Sequence, residues 1–300
     1  MDPTLIRCER RGVGRPLIML HGLGDRRQCW RSVSADLLRE YEIVCVDLPG
    51  FGSSPAPATG EPYDVHSLTT AVQEFCALHG FERPHVAGNS LGGAIALELG
   101  VRGVTGSVTV FSPIGFSDPL ARLGMRAAGG AAHLVGRVPL RVKERLADTG
   151  PARALARAVL RGNPASPEAK ATRFAVRGLE PGSPFLRMVP RVAAYSFEAR
   201  PIECPVTIAW GDRDRTLLPS SAVAAHLRVP HARMVSLIGC GHIPMVDDPA
   251  SVAAQIRWTC RAADRRVLPG PPLVPAPSPA TTPDGRLRRS PLRFGPRPGR

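Results

Sequence analysis

Six short runs of apolar, largely β-branched residues recur along the chain, each bounded by turn residues and separated from the next by helix-like sequence. They are Pro16–Leu20 (PLIML), Ile43–Asp47 (IVCVD), His85–Asn89 (HVAGN), Ser107–Ser112 (SVTVFS), Val206–Trp210 (VTIAW) and Arg233–Ile238 (RMVSLI). Their apolar positions run nearly unbroken, without the alternation of a strand that has one wet face, so these strands are expected to be covered on both sides. Helical candidates lie between them, near Cys29–Glu40, Val65–His79, Leu91–Arg102, Ser220–Leu227 and Pro249–Ala263. Strand and helix in alternation predict an α/β fold with a mostly parallel central sheet flanked by helices.

The alternation breaks between Ile114 and Arg200. That stretch is helical in composition (RVKERLADTG, ARALARAVLRG) and too long for a connecting loop. It reads as a helical cap inserted in a core made of residues 4–113 and 201–263. The apolar cap residues Leu123, Met125, Leu134, Phe174, Phe185 and Met188 are expected to wall a pocket, with the cap's arginines facing solvent. Residues 264–300 form a third region rich in proline and arginine. It has no apolar periodicity, so residues 268–300 are expected to be disordered.

The formal charge of +14 sits outside the core: +6 falls in 264–300 and +9 in 114–200, which leaves −1 for the rest. The tail's arginines lack interleaved aromatics (Phe294 alone), so no nucleic-acid partner is expected. Peripheral contact of the basic cap with a membrane surface stays open. No run approaches the length of apolar sequence that a spanning helix needs. Nor is a secretory leader expected, since Asp2 and Pro3 are followed by charges at Arg7, Glu9, Arg10 and Arg11. The seven cysteines are scattered and form no metal-ligand pair, which predicts reduced thiols in a cytoplasmic protein and no metal; no cofactor is expected.

Gly88-Asn89-Ser90-Leu91-Gly92 follows a strand candidate and opens a helix candidate. A serine on so sharp a turn needs flanks without side chains. The turn lifts Oγ out of the sheet and leaves the amide of Leu91 at a helix N-terminus, where it can donate to a developing oxyanion. His21-Gly22-Leu23-Gly24 directly follows PLIML and offers a second backbone donor at Leu23, with His21 read as a loop brace rather than a base. A serine nucleophile needs a base and the base an orienting acid. His242, in Gly239-Cys240-Gly241-His242, supplies the base. Asp214 and Asp212, both in the turn after VTIAW, compete for the role of acid. Cys240, beside His242, reads as packing.

Together HGLG at 21–24, DLPGFGSS at 47–54, GNSLGG at 88–93, WGDRD at 210–214 and GCGHIPMVDDP at 239–249 resemble the α/β-hydrolase superfamily. The resemblance is to its lid-bearing branch of esterases, meta-cleavage-product hydrolases and cofactor-free haloperoxidases, and it covers residues 4–263. It implies a catalytic Ser90–Asp214–His242, the spacing after the W-G turn selecting Asp214 over Asp212. The amides of Leu23 and Leu91 would form the oxyanion hole, and the substrate would be a small, apolar acyl compound. Relatives often carry proline or serine where this chain has Asp25-Arg26-Arg27, and only Leu5–Glu9 stands where they have an opening hairpin. The implied activity is cleavage of a carboxylic ester. Alternatives are a C–C hydrolase or acyltransferase on the same residues and, outside enzymes, a ligand-binding or signalling protein on this scaffold.

Overall fold

The computed structural model describes residues 1–147, 149–151, 154 and 180–267. The expected disordered segment 268–300 and Phe174 lie outside the described residues. Seven strands form one sheet: β1 (Cys8–Arg11), β2 (Arg15–Leu20), β3 (Tyr41–Val46), β4 (His85–Asn89), β5 (Ser107–Phe111), β6 (Val206–Gly211) and β7 (Arg233–Leu237). Their order is β1-β3-β2-β4-β5-β6-β7. All neighbours are parallel except β1, which runs antiparallel to β3 with Cys8 opposite Val46 and Arg11 opposite Ile43.

The unbroken apolar runs are explained by two cores, one on each face of the sheet. Ile18, Leu20, Val44 and Val46 face one core, with Val65, Leu68 and Phe75 from helix α2 (Val65–Leu78) and Ile95 and Leu99 from α3 (Leu91–Val101). Leu17, Met19, Ile43 and Cys45 face the other, with Val33 from α1 (Arg31–Ala35) and residues of the C-terminal helix. Helix α3 is buried along its first ten residues. Its one acid, Glu98, accepts from Tyr195 Oη (2.7 Å) and Arg200 Nη2 (2.6 Å), which ties the segment entering β6 to the back of the elbow helix.

One local expectation is corrected. The helix expected over Cys29–Glu40 is a 3-10 turn at Arg27–Trp30, the five-residue α1, and then further turns closed by Leu37 N–H to Ser34 O and Glu40 N–H to Leu37 O. Ser34 Oγ donates to Arg31 O (2.9 Å), a side-chain bond that competes with α-helical pairing. Where relatives open with a hairpin, this chain has one edge strand, Cys8–Arg11, preceded by a 3-10 turn at Pro3–Leu5 that Asp2 caps.

Between β5 and β6 the described chain is helical: α4 (Pro119–Gly136), α5 (Leu140–Ala147) and α6 (Pro184–Ala194). Asp118 and Ser183 cap α4 and α6, each followed by a proline at the first helical position, where its missing N–H is harmless. Then come α7 (Ser221–Arg228), α8 (Pro244–Asp247) and α9 (Pro249–Val267). Among the described residues no helix is long and apolar enough to cross a membrane.

The amino edge of the sheet holds a polar cluster around the buried His85 and Ser107. His85 Nδ1 pairs with Ser107 Oγ (2.8 Å), His85 Nε2 lies 3.3 Å from Asp264 Oδ1, and Arg15 Nη1 bonds the same carboxylate at 2.8 Å. Tyr41 packs edge-on against the imidazole, and Cys260 bonds Ser107. Burial, reinforced by Arg15 and opposed by Asp264, pushes the imidazole down to about 4. The unfolded chain therefore takes up a proton near pH 6.5 that the folded protein refuses. His85 should stabilise the fold fully above that pH, and its contribution should fade as pH falls toward 4, costing about 2.5 kcal/mol by pH 4.5. Urea unfolding of wild type and His85→Gln between pH 7.5 and 4.5 checks this. The variant should lose less stability by about that amount, and parallel losses would contradict it.

Candidate active site

Strand order reverses between β2 and β4, since β3 lies on the far side of β2. In open α/β sheets the crevice at the carboxyl ends of such strands is where ligands bind. HGLG leaves β2 and GNSLGG leaves β4 at that crevice. The turns carrying Asp214 and His242 leave β6 and β7 at the same edge.

Ser90 has φ 53° and ψ −111°, a strained conformation for a residue with a side chain. The surroundings hold it there. Its N–H donates to Phe111 O (2.9 Å), and its carbonyl accepts from Ala94 (3.1 Å) and Ile114 (3.3 Å). Gly88 and Gly92 are required by contact: a Cβ at 88 would strike the carbonyl of Gly92, and one at 92 the carbonyl of Leu20. Gly93 lets α3 approach Pro113. Ser90 is 7% exposed.

His242 Nδ1 lies 2.8 Å from Asp214 Oδ2, both side chains being buried. The other oxygen of Asp214 accepts from the N–H groups of Thr216 and Leu217, each at 2.8 Å, so the carboxylate is fixed on both sides. Asp212 does something else: it accepts from Gly239 N–H (2.7 Å) and braces the start of the histidine loop. Asp247 accepts from Gly241 N–H (2.8 Å), and Gly211 leaves room for the carbonyls of Cys240 and Gly241 to cross β6. The Cys240 thiol is buried and pushed up to about 12 by burial and nearby carboxylates, consistent with packing.

Asn89, which the sequence reading passed over, joins these parts. Its Nδ2 donates to Phe111 O at the end of β5 and to His242 O, each at 3.0 Å. The residue next to Ser90 is thus bonded to the backbone of His242. An amide in the variable position of G-x-S-x-G was the only signal available, and it names no partner.

His21 is fully buried. Its Nε2 accepts from Leu48 N–H (3.0 Å), so Nδ1 carries the proton and donates to Gly22 O (2.7 Å). Burial keeps the ring neutral, and it braces the loop. A Cβ built on Gly22 would lie 3.3 Å from Ser90 Cβ, so this loop runs alongside the serine. Among the described residues no acceptor takes the N–H of Leu23 or of Leu91. The departure at Asp25-Arg26-Arg27 has a structural use. Arg27 pairs through its guanidinium with the buried Asp47, whose carboxylate also accepts from Arg27 N–H (2.7 Å) and Ser53 N–H (2.8 Å). An ion pair thus locks the HGLG loop to the DLPGFGSS loop.

The start of α6 closes over both loops. The Phe185 ring packs on Gly24 (φ +75°), where a Cβ would come within 2.8 Å of it, and Pro184 packs on Gly50. Arg187 lies over the Tyr63 ring at 5.0 Å. Of the residues expected to wall a pocket, Met188 is buried in the core, Met125 packs against it, and Phe185 meets the HGLG loop. Leu123 and Leu134 are 60% and 62% exposed on α4, so they face water instead. A groove of about 540 Å³ lies at the opposite end of the sheet, lined by Cys76, Phe81, Pro84, Val86 and Val104. It contains no nucleophile paired with a base. Among the described residues no cluster of potential metal ligands occurs.

A buried imidazole–carboxylate pair and a strand-to-helix serine, gathered at the carboxyl edge of a parallel sheet, belong to the hydrolases of the α/β class. The sequence profile of the alpha/beta hydrolase family matches residues 17–255, and the chain is a member of that family. It is 28% identical over 262 residues to an uncharacterized protein of Mycobacterium tuberculosis, covering 80% of this chain and 73% of that one. It is 24% identical over 250 residues to Lipase 3 of a Moraxella species, covering 78% and 74%. Among solved structures, a bacterial membrane phospholipase A superposes with a TM-score of 0.71 at 26% identity, over 86% of this chain and 83% of that one.

Proposed function

We propose that the protein is a serine hydrolase that cleaves a carboxylic ester through an acyl-enzyme on Ser90. The observation that carries this reading is the 2.8 Å His242–Asp214 contact, tied through the bond from Asn89 to His242 O to the strained serine that follows Asn89. Asp214 holds the imidazole with its proton on Nδ1, which leaves Nε2 free to take the Ser90 proton as Oγ attacks the ester carbonyl. The tetrahedral oxyanion is stabilised by the N–H groups of Leu23 and Leu91. His242 then returns the proton to the leaving alkoxide, and water attacks the acyl-enzyme by the same route in reverse.

The helices between β5 and β6 act as a cap, with Phe185 held at the entrance by its contact with Gly24. The lipases and phospholipase among the relatives support an acyl ester of more than minimal chain length. The free cysteines suit a reducing, cytoplasmic compartment.

A panel of p-nitrophenyl esters of graded acyl length tests the reading. Turnover is expected to rise beyond acetate, and Phe185→Ala should shift the preferred length while reaction of Ser90 with a fluorophosphonate survives. Absence of turnover on every ester, with the fold intact, would overturn it.

A further inference from the structure

Helix α4 turns its apolar side outward. Met125 packs on the core and Gly129 lies against Val189 of α6, which defines the inner side of the helix. On the opposite side Leu120, Leu123 and Leu134 are 78%, 60% and 62% exposed. At 3.6 residues per turn these leucines form one stripe, joined by the exposed Ala127 and Ala131. Helix α5 adds Val142 and Leu146 one turn apart, both exposed. Scattered exposed leucines are ordinary on a folded protein, but a continuous row marks a contact surface.

The charge beside the row indicates what kind of surface it meets. Residues 119–147 hold five arginines and a lysine against the single acid Glu144. Lys143 is turned inward and pairs with Glu180, whereas Arg126, Arg137, Arg141 and Arg145 are exposed. A second copy of this face would set arginine against arginine, so a symmetric pairing is disfavoured. An anionic partner with an apolar interior satisfies both features. Guanidinium groups bind phosphate in bidentate fashion, and leucines on an interfacial helix enter the boundary between headgroups and acyl chains.

We propose that α4 and α5 form a docking face for an anionic phospholipid surface. The leucine row sits in the interface and the exposed arginines lie against lipid phosphates. Helix α4 starts just beyond the carboxyl end of β5, the sheet edge that also carries Ser90. Docking through it would bring the candidate active site to the membrane. The docking itself does not depend on the chemistry proposed for Ser90.

The test uses the full chain and cosedimentation with two kinds of vesicle: phosphatidylcholine alone, and phosphatidylcholine with phosphatidylglycerol. Wild type is expected to bind the anionic vesicles at least tenfold more tightly. The triple variant Leu120→Ser, Leu123→Ser, Leu134→Ser should lose at least tenfold of that affinity while its circular dichroism and turnover of a soluble ester stay unchanged. Arg126→Gln with Arg141→Gln and Arg145→Gln should abolish the preference for anionic lipid. Several results would overturn the proposal. They are no vesicle binding by wild type, serine-variant binding equal to wild type (the remaining basic sequence then being the anchor), or a dimer in light scattering that the serine variant breaks.

Discussion

Replacing Ser90 with alanine is expected to lower kcat/KM on a soluble aryl ester by about 10⁴-fold or more, leaving only the residual effect of binding and oxyanion stabilisation. Because alanine differs from serine here by one oxygen, the elbow's own bonds to Phe111, Ala94 and Ile114 remain. The melting temperature should therefore stay within a few degrees of wild type. A stable Ser90→Ala protein that keeps a tenth of its activity would exclude an acyl-enzyme at this residue.

The second large effect separates two acids that stand two residues apart. Asp214→Asn is expected to reduce kcat by about 10⁴-fold, because an amide in that place favours the tautomer with its proton on the wrong nitrogen. Asp212→Asn keeps an oxygen for the Gly239 N–H and should cost less than about tenfold. Steady-state kinetics of the two variants side by side decide the matter, and equal losses would contradict the assignment of roles.

Five of the six apolar strands were legible because they are buried on two faces, and such burial leaves a local record in composition; β7, at the sheet edge, is only half-buried. The serine elbow was legible for a similar reason. Gly88 and Gly92 are demanded by carbonyl contacts inside a five-residue span. Strand β1 left almost no signal: Cys8-Glu9-Arg10-Arg11 is an antiparallel edge strand held by backbone pairing with β3, which constrains its side chains little. The first helix was over-read because Trp30, Val33 and Leu37 have helical spacing, yet they reach the core from a 3-10 turn, the five-residue α1 and the turns after it. Leu123 and Leu134 show the general limit. Periodicity identifies an apolar stripe on α4, but which side of the helix meets the protein is set by Gly129 and Val189, far apart in sequence. The same limit applied at the site. Residue type alone leaves Asp212 and Asp214 in competition; the spacing shared with the family selects Asp214, and the placement of the loop from β7 is what brings Asp214 to the imidazole and Asp212 to Gly239.

Treatment with a fluorophosphonate, followed by peptide mapping of the adduct, tests the hydrolase reading most directly. The reading predicts one stoichiometric adduct on Ser90, absent from Ser90→Ala and formed far more slowly by Asp214→Asn. An adduct on any other residue, or labelling that persists in Ser90→Ala, would contradict it.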